Sequence, residues 1–198
     1  RTLLIHEYTH IVQLGAYGGV WYPFRAVLGT VVAPSGVDPV WMKEGFAQYE
    51  ETALTTGGRG RGSYSEMVVR TSVIENDFPS IDEADGLSWR WPAYKGAYIY
   101  GLKFLQWLSD TYGEDKLMKF DRRVRSSILL TMINHQARNV YGKTFYELWR
   151  EWKKSLESVY AKELEGIKTN GLTRVEPFFE SKRDDQLSSP TMSKLGDQ

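Results

Sequence analysis

The chain has 198 residues, 41% of them hydrophobic, with 25 basic and 25 acidic side chains and no cysteine. That length is one domain, or one domain and a tail, with enough apolar content for a sizeable core. Cancelling charges leave no overall field for nucleic acid or an anionic membrane. Disulfides and thiolate ligands are excluded, and no run of about 18 apolar residues predicts a transmembrane helix.

The first predicted helix runs to about Leu14 and is stopped by Gly15. Leu3, Leu4, Ile11 and Leu14 are its expected apolar face. It carries His6-Glu7-Tyr8-Thr9-His10, an H-E-x-x-H spacing. Positions i and i+4 share one helix face, so His6 and His10 can grip one metal ion. Glu7 then lies beside the open coordination position, where a carboxylate can take a proton from an attacking water. Only Arg1 to Ile5 precede the motif, without a cap signal, so the chain is expected to be a fragment of a protein that continues upstream.

The Gly- and aromatic-rich stretch from Ala16 to Val37 predicts a packed connection with a short helix at Phe24–Leu28. Asp38-Pro39 predicts a helix start, with Asp38 as cap, and the helix reaches about Thr55. Gly57-Gly58-Arg59-Gly60-Arg61-Gly62 ends it as a flexible surface loop beside the cleft. Ser63-x-x-Glu66 is a predicted capping box for a helix to about Glu75, and a short helix is expected after Ser80. Tyr94 to Tyr112 is helical, with Ile99, Leu102, Leu105 and Leu108 as its stripe and Gly113 as its stop. Helices over Glu114–Ser126 and Ile128–Tyr141 follow. Thr144-x-x-Glu147 opens a long helix to about Glu165, with Leu148, Trp152, Leu156, Val159 and Leu164 as its core face. The domain is read as residues 1–166, and 167–198 as a polar linker or the edge of another domain.

A catalytic zinc site needs a third protein ligand. His135 reads as a surface or packing histidine. Glu44, in Trp41-Met42-Lys43-Glu44-Gly45-Phe46-Ala47, is the better candidate, because a helix crossed against the first can present its carboxylate. Gly45 is expected to let those two backbones approach.

H-E-x-x-H followed by W-x-x-E-G-F-A resembles the gluzincins, the zinc peptidases that include thermolysin and aminopeptidase N. The resemblance implies a single zinc ion on His6, His10 and Glu44, with Glu7 as general base. Lys43 stands where the aminopeptidases carry Asn. Their Y-x-K-G-x-x-x-L-x-x-L motif aligns with Tyr98-Ile99-Tyr100-Gly101 onward, which implies Tyr98 as the oxyanion donor, with Tyr100 and Tyr94 as lesser candidates. Pro39, Trp41, Glu44, Gly45, Ala47, Tyr49, Glu51, the GGRG at 57–60, Tyr98, Tyr100, Gly101 and Phe104 are similar to the bacterial peptidase MA-like group over about residues 1–165. That group implies an exported, extracytoplasmic protein, periplasmic or cell-envelope, often followed by a TolB-like β-propeller, whose first repeat the stretch from Leu187 to Asp197 resembles. The implied fold is mainly α: the helical, C-terminal half of a zincin-type metallopeptidase domain whose upstream β-sheet half lies outside this chain, leaving an apolar face bare. Gln48 and Glu51, one and two turns after Glu44, are candidates to orient the histidines. The expected function is zinc-dependent hydrolysis of a peptide or protein substrate, with no nucleic-acid partner. The alternatives are a non-catalytic zincin-fold binding module of the cell envelope and a metallohydrolase acting on another substrate.

Overall fold

The computed structural model describes residues 1–19, 21–29, 34–86, 91–127 and 132–171. All regular elements among them are helices, with no strand, so the fold is mainly α. None of these helices is long and apolar enough to cross a membrane. The chain divides into two compact units, Arg1–Leu164 and Glu165–Gln198. In chain order the helices are α1 (Thr2–Gly15), α2 (Trp21–Leu28), α3 (Val40–Leu54), α4 (Ser63–Ile74), α5 (Ile81–Asp85), α6 (Gly96–Tyr112), α7 (Glu114–Arg125), α8 (Ile133–Tyr141) and α9 (Phe145–Thr169). The second unit is described only over residues 165–171, where the Thr169 hydroxyl donates to the Glu165 carbonyl at 2.8 Å. The stretch from Leu187 to Asp197 and the start of the helix expected from Ile128 lie outside the described residues.

Helix α6 is the hub of the first unit. The stripe of Ile99, Leu102, Leu105 and Leu108 is buried as its spacing requires, and Tyr100, Gly101 and Phe104 are buried as well. A helix apolar on most of its circumference must be wrapped by others, and α3, α4, α5 and α7 all pack on it. Its closest neighbour is α3. A Cβ on Gly101 would stand 2.2 Å from the Trp41 carbonyl oxygen, and one on Gly45 would stand 2.7 Å from the Gly101 carbonyl carbon. Gly45 therefore serves the α3–α6 contact, not the expected approach to α1. Successive helix residues point about 100° apart, so with Glu44 turned to α1, Gly45 is turned to α6. Aromatic rings fill the rest of the core. Trp41 of α3 meets Phe145 of α9 edge-on at 5.3 Å, and Phe104 of α6 meets Trp149 of α9 at 4.9 Å. Such pairs add about 0.5–1.5 kcal/mol each beyond their area.

Several local expectations change in tertiary context. Asp38 does not cap α3. The amide of Trp41 instead donates to the Asp85 carboxylate at 2.8 Å, a cap supplied by the end of α5. Glu66 leaves the capping box of α4 because Lys103, at 2.9 Å, and the Tyr160 hydroxyl, at 2.6 Å, are stronger partners than a backbone amide. The Thr144–Glu147 box does form, and so does one at Ser80–Glu83 that opens α5. On α9 the core face comprises Phe145, Leu148, Trp149, Trp152 and Tyr160, while Val159 is half exposed. Helix α1 departs most. Leu3, Leu4, Ile11 and Leu14 lie exposed, and the buried residues are His6 and Gln13. The helix has turned its histidine face onto α3, which sends the opposite apolar face outward.

Asp38 has a different consequence. It is buried, its Oδ1 has no hydrogen-bond partner, and its nearest charges are Arg125, Asp121 and Lys43. Burial, against the pull of Arg125, raises its pKa from 3.8 to about 6. Between those values the folded chain keeps a proton that the unfolded chain has lost, so stability falls as pH rises through this window. Asp38→Asn removes that penalty. The stability difference between variant and wild type, from denaturant unfolding, should shift by about 2–3 kcal/mol in favour of the variant between pH 4 and pH 7.5. An unchanged difference would show that Asp38 titrates normally.

Candidate metal centre

Helix α1 packs across α3 so that His6 and His10, one turn apart, face Glu44 near the N-terminal end of α3. Three atoms converge. His6 Nε2 and His10 Nε2 are 3.3 Å apart, and Glu44 Oε2 is 3.4 Å from the first and 3.3 Å from the second. A tetrahedral ion with bonds of about 2.0–2.1 Å spaces its ligand atoms about 3.3–3.4 Å apart. The triangle therefore has the dimensions of one face of such a coordination shell. Among the described residues it is the one cluster of three such side chains close enough to share a metal ion. Glu44 Oε2 is also buried with no hydrogen-bond donor in good geometry, a costly state for a carboxylate that a cation relieves. Burial alone would raise the Glu44 carboxyl, but the two imidazoles facing it outweigh burial and hold it below the usual range. Two imidazole nitrogens and one carboxylate oxygen, with no thiolate, are a donor set that suits Zn2+.

Each histidine is held from behind. His10 Nδ1 lies 3.2 Å from Gln13 Oε1, and Gln13 in turn reaches the Lys43 carbonyl on α3 at 3.5 Å. His6 Nδ1 lies 3.5 Å from Glu51 Oε2 and 2.9 Å from Arg59 Nη2. These contacts leave both Nε2 atoms facing the triangle; Gln13 and Glu51 are acceptors of the kind that outer partners of metal-bound histidines supply, whereas Arg59 can only donate to Nδ1. Of the two orienting candidates on α3, Glu51 is in place. Gln48 is buried on the same wall, but its side chain makes no hydrogen bond to either histidine.

A cavity of about 810 Å³ opens beside the triangle, and His6, Glu7, Arg59, Tyr64 and Tyr98 are among its lining residues. Glu7 is exposed towards it, outside the ligand cluster. The three candidate tyrosines separate cleanly. Tyr98 lies against the site, where burial first, then the charge of Glu44 and a hydrogen bond to it, raise its pKa, with Glu7 adding to the shift. The phenol therefore stays protonated and able to donate. Tyr100 is buried in the core against Phe78 and Trp149. Tyr94 is largely exposed at the cavity rim. His135 sits exposed on α8, apart from the cluster.

The glycine-rich segment lines the cavity as expected, but it is not a free loop. Arg59 to Arg61 form a turn of 3-10 helix pressed onto the C-terminal half of α3. A Cβ on Gly58 would stand 2.3 Å from Thr52 Cα, and one on Gly60 would stand 2.6 Å from Gln106 Nε2. At Gly58 only a residue without a side chain fits, because the obstacle is backbone; at Gly60 the Gln106 and Thr52 side chains would have to shift. The Arg59 guanidinium grips Glu51 through Nε, at 3.2 and 3.1 Å, and Nη2, at 2.6 Å, and the Arg59 amide adds a bond at 3.0 Å. Burial would raise Glu51, and these bonds hold it below the usual carboxylate range instead.

Gln13 was not among the residues singled out in the sequence, and Arg59 was named only as part of the glycine-rich segment beside the cleft, with no role of its own. The glutamine has a faint signal, three residues after the second histidine and so on the same helix face. For Arg59 the GGRG at 57–60 marks the segment, but its partners are set by where that segment folds back. Comparison with protein-family models, with curated proteins and with solved structures yields no match to the chain.

Proposed function

We propose that this protein is a zinc-dependent peptidase of the gluzincin type, binding one ion on His6, His10 and Glu44. The observation that carries the reading is the triangle of Nε2, Nε2 and Oε2 with edges of 3.3–3.4 Å. Its support is the chemistry around that triangle: an exposed Glu7 side chain on the cavity wall, a protonated phenol at Tyr98, and a cavity large enough for a stretch of peptide.

When bound, the ion supplies Lewis acidity that activates a water and polarises the scissile carbonyl. Glu7 takes the proton from the attacking water and later passes it to the leaving amine. Tyr98 donates a hydrogen bond to the oxygen of the scissile carbonyl as negative charge develops on it. Gln13 and Glu51 keep the two imidazoles in the tautomer and orientation that present Nε2. In the proposed architecture these helices form the C-terminal half of a zincin domain, and a β-sheet packs on the outward apolar face of α1, where Leu4, Tyr8 and Ile11 lie exposed. An extracytoplasmic location belongs to the same reading.

The test is metal content and its removal. The purified chain should carry or take up one equivalent of zinc by elemental analysis. Any cleavage of a mixed peptide library should stop with a chelator and return with added zinc. Cleavage that survives chelation, or a chain that takes up no zinc, would overturn the reading. Stoichiometric zinc without cleavage of any peptide would favour a binding module instead.

A further inference from the structure

We infer that the glycine-rich turn after α3 is part of the metal centre, and that Arg59 is a positioning residue that holds His6 in place through Glu51. The inference rests on the zinc reading of His6, His10 and Glu44.

The contacts run in one direction. Gly58 and Gly60 let the turn lie directly on α3, where a side chain at either would collide with Thr52 or Gln106. The Gly60 amide donates to the Thr52 hydroxyl at 3.0 Å, and the Arg59 amide donates to Glu51 Oε1 at 3.0 Å. The backbone thus docks, and the guanidinium is delivered to a carboxylate that is only 1% exposed. Its planar fork matches two carboxylate oxygens, which an ammonium on a flexible stem cannot do. Glu51 Oε2, held by Arg59 Nη2 at 2.6 Å, is also the oxygen that faces His6 Nδ1 at 3.5 Å. The same Nη2 lies 2.9 Å from that nitrogen.

Arg59 can only donate, so the Nη2–Nδ1 contact belongs to the metal-free chain; on metal binding Nη2 gives up Nδ1 and keeps its bonds to Glu51. In a metal-free chain Nδ1 can accept from Arg59. With Nε2 committed to an ion, the remaining proton of a neutral His6 sits on Nδ1, and Glu51 is the acceptor at hand. Without the Arg59 guanidinium, Glu51 keeps the backbone amide bond to Oε1 but loses the bonds that hold Oε2, the oxygen that faces His6. Arg61 provides an internal control. It donates to the Thr52 carbonyl and, at 2.6 Å, to the Thr55 carbonyl, finishing the end of α3 without touching Glu51 or His6.

The experiment measures the zinc dissociation constant of the full chain by competition with a chromophoric chelator at one pH, with thermal unfolding of each metal-free variant alongside. Arg59→Ala should bind zinc roughly 10–100-fold more weakly than wild type, the usual loss when an outer partner of a metal-bound histidine is removed. Arg59→Lys, which keeps the charge and loses the fork, should fall between them, and it carries the test if the alanine variant does not fold. Arg61→Ala should melt at a lower temperature and bind zinc as wild type does. The inference is overturned if both Arg59 variants bind zinc as tightly as wild type, or if Arg61→Ala weakens zinc as much as Arg59→Ala. A wild-type chain that takes up no zinc defeats the metal reading itself, so the two failures are told apart.

Discussion

Glu7→Gln should bind zinc as the wild-type chain does and lose hydrolysis by about 10²–10⁴-fold, the range for removing a positioned general base or acid. The reasoning starts from where Glu7 sits. It is not among the converging ligand atoms, and it lines the cavity one residue after His6 on α1. Glutamine has nearly the same shape, so the helix, the ligand triangle and the cavity should persist. An amide cannot accept a proton from water at neutral pH, however, and cannot hand one to a leaving amine. Zinc content by elemental analysis and peptide cleavage rates on the same preparation check both halves. A variant that keeps full activity would remove Glu7 from the mechanism. One that loses zinc along with activity would make it a ligand or a structural residue.

Glu44→Gln should do the reverse, abolishing tight zinc binding while leaving the chain folded. The carboxylate supplies one corner of the triangle and its only negative charge. Its Oε2 is buried without a well-placed donor, and the groups that face the carboxylate are the two imidazoles and Tyr98. A neutral amide oxygen is a poor replacement for a carboxylate on Zn2+. Loss of an outer-shell partner alone costs about 10–100-fold in affinity, so loss of a direct ligand should exceed ~100-fold. Removing the charge from a site near two imidazoles should change metal-free stability by no more than about 1 kcal/mol. Chelator competition and unfolding of the metal-free chain give the two numbers. Wild-type affinity in Glu44→Gln would show that the carboxylate is not a ligand.

The candidate site was unusually legible for a chain of this length because its parts are local. The spacing of His6 and His10 is a helix turn, and that follows from sequence separation alone. Glu44 needed one further assumption, that two helices cross, and α1 and α3 do cross there. Tyr98 was harder. Tyr94, Tyr98 and Tyr100 lie within seven residues, and only the helix phase places Tyr98 at the site and Tyr100 in the core. The GGRG segment was visible beside the cleft, but the contact of Arg59 with Glu51 was out of reach, because it depends on a turn folding back onto α3.

By itself, then, the sequence determined the helical elements, most of their ends, and the identity of the three residues that converge at the candidate site, His6, His10 and Glu44. Each of those follows from periodicity, stop signals and spacing within one or two helices, where the chain geometry is set by neighbours in sequence. The tertiary structure decided which face of each helix is buried. It turned the histidine face of α1 inward against its apolar pattern, moved Gly45 from α1 to α6, passed the cap of α3 from Asp38 to Asp85, and brought Arg59 onto Glu51. These are choices among partners distant in sequence. They are settled by which pairing leaves the fewest buried polar groups unmet and the most apolar surface covered, a competition that no local stretch of the chain contains.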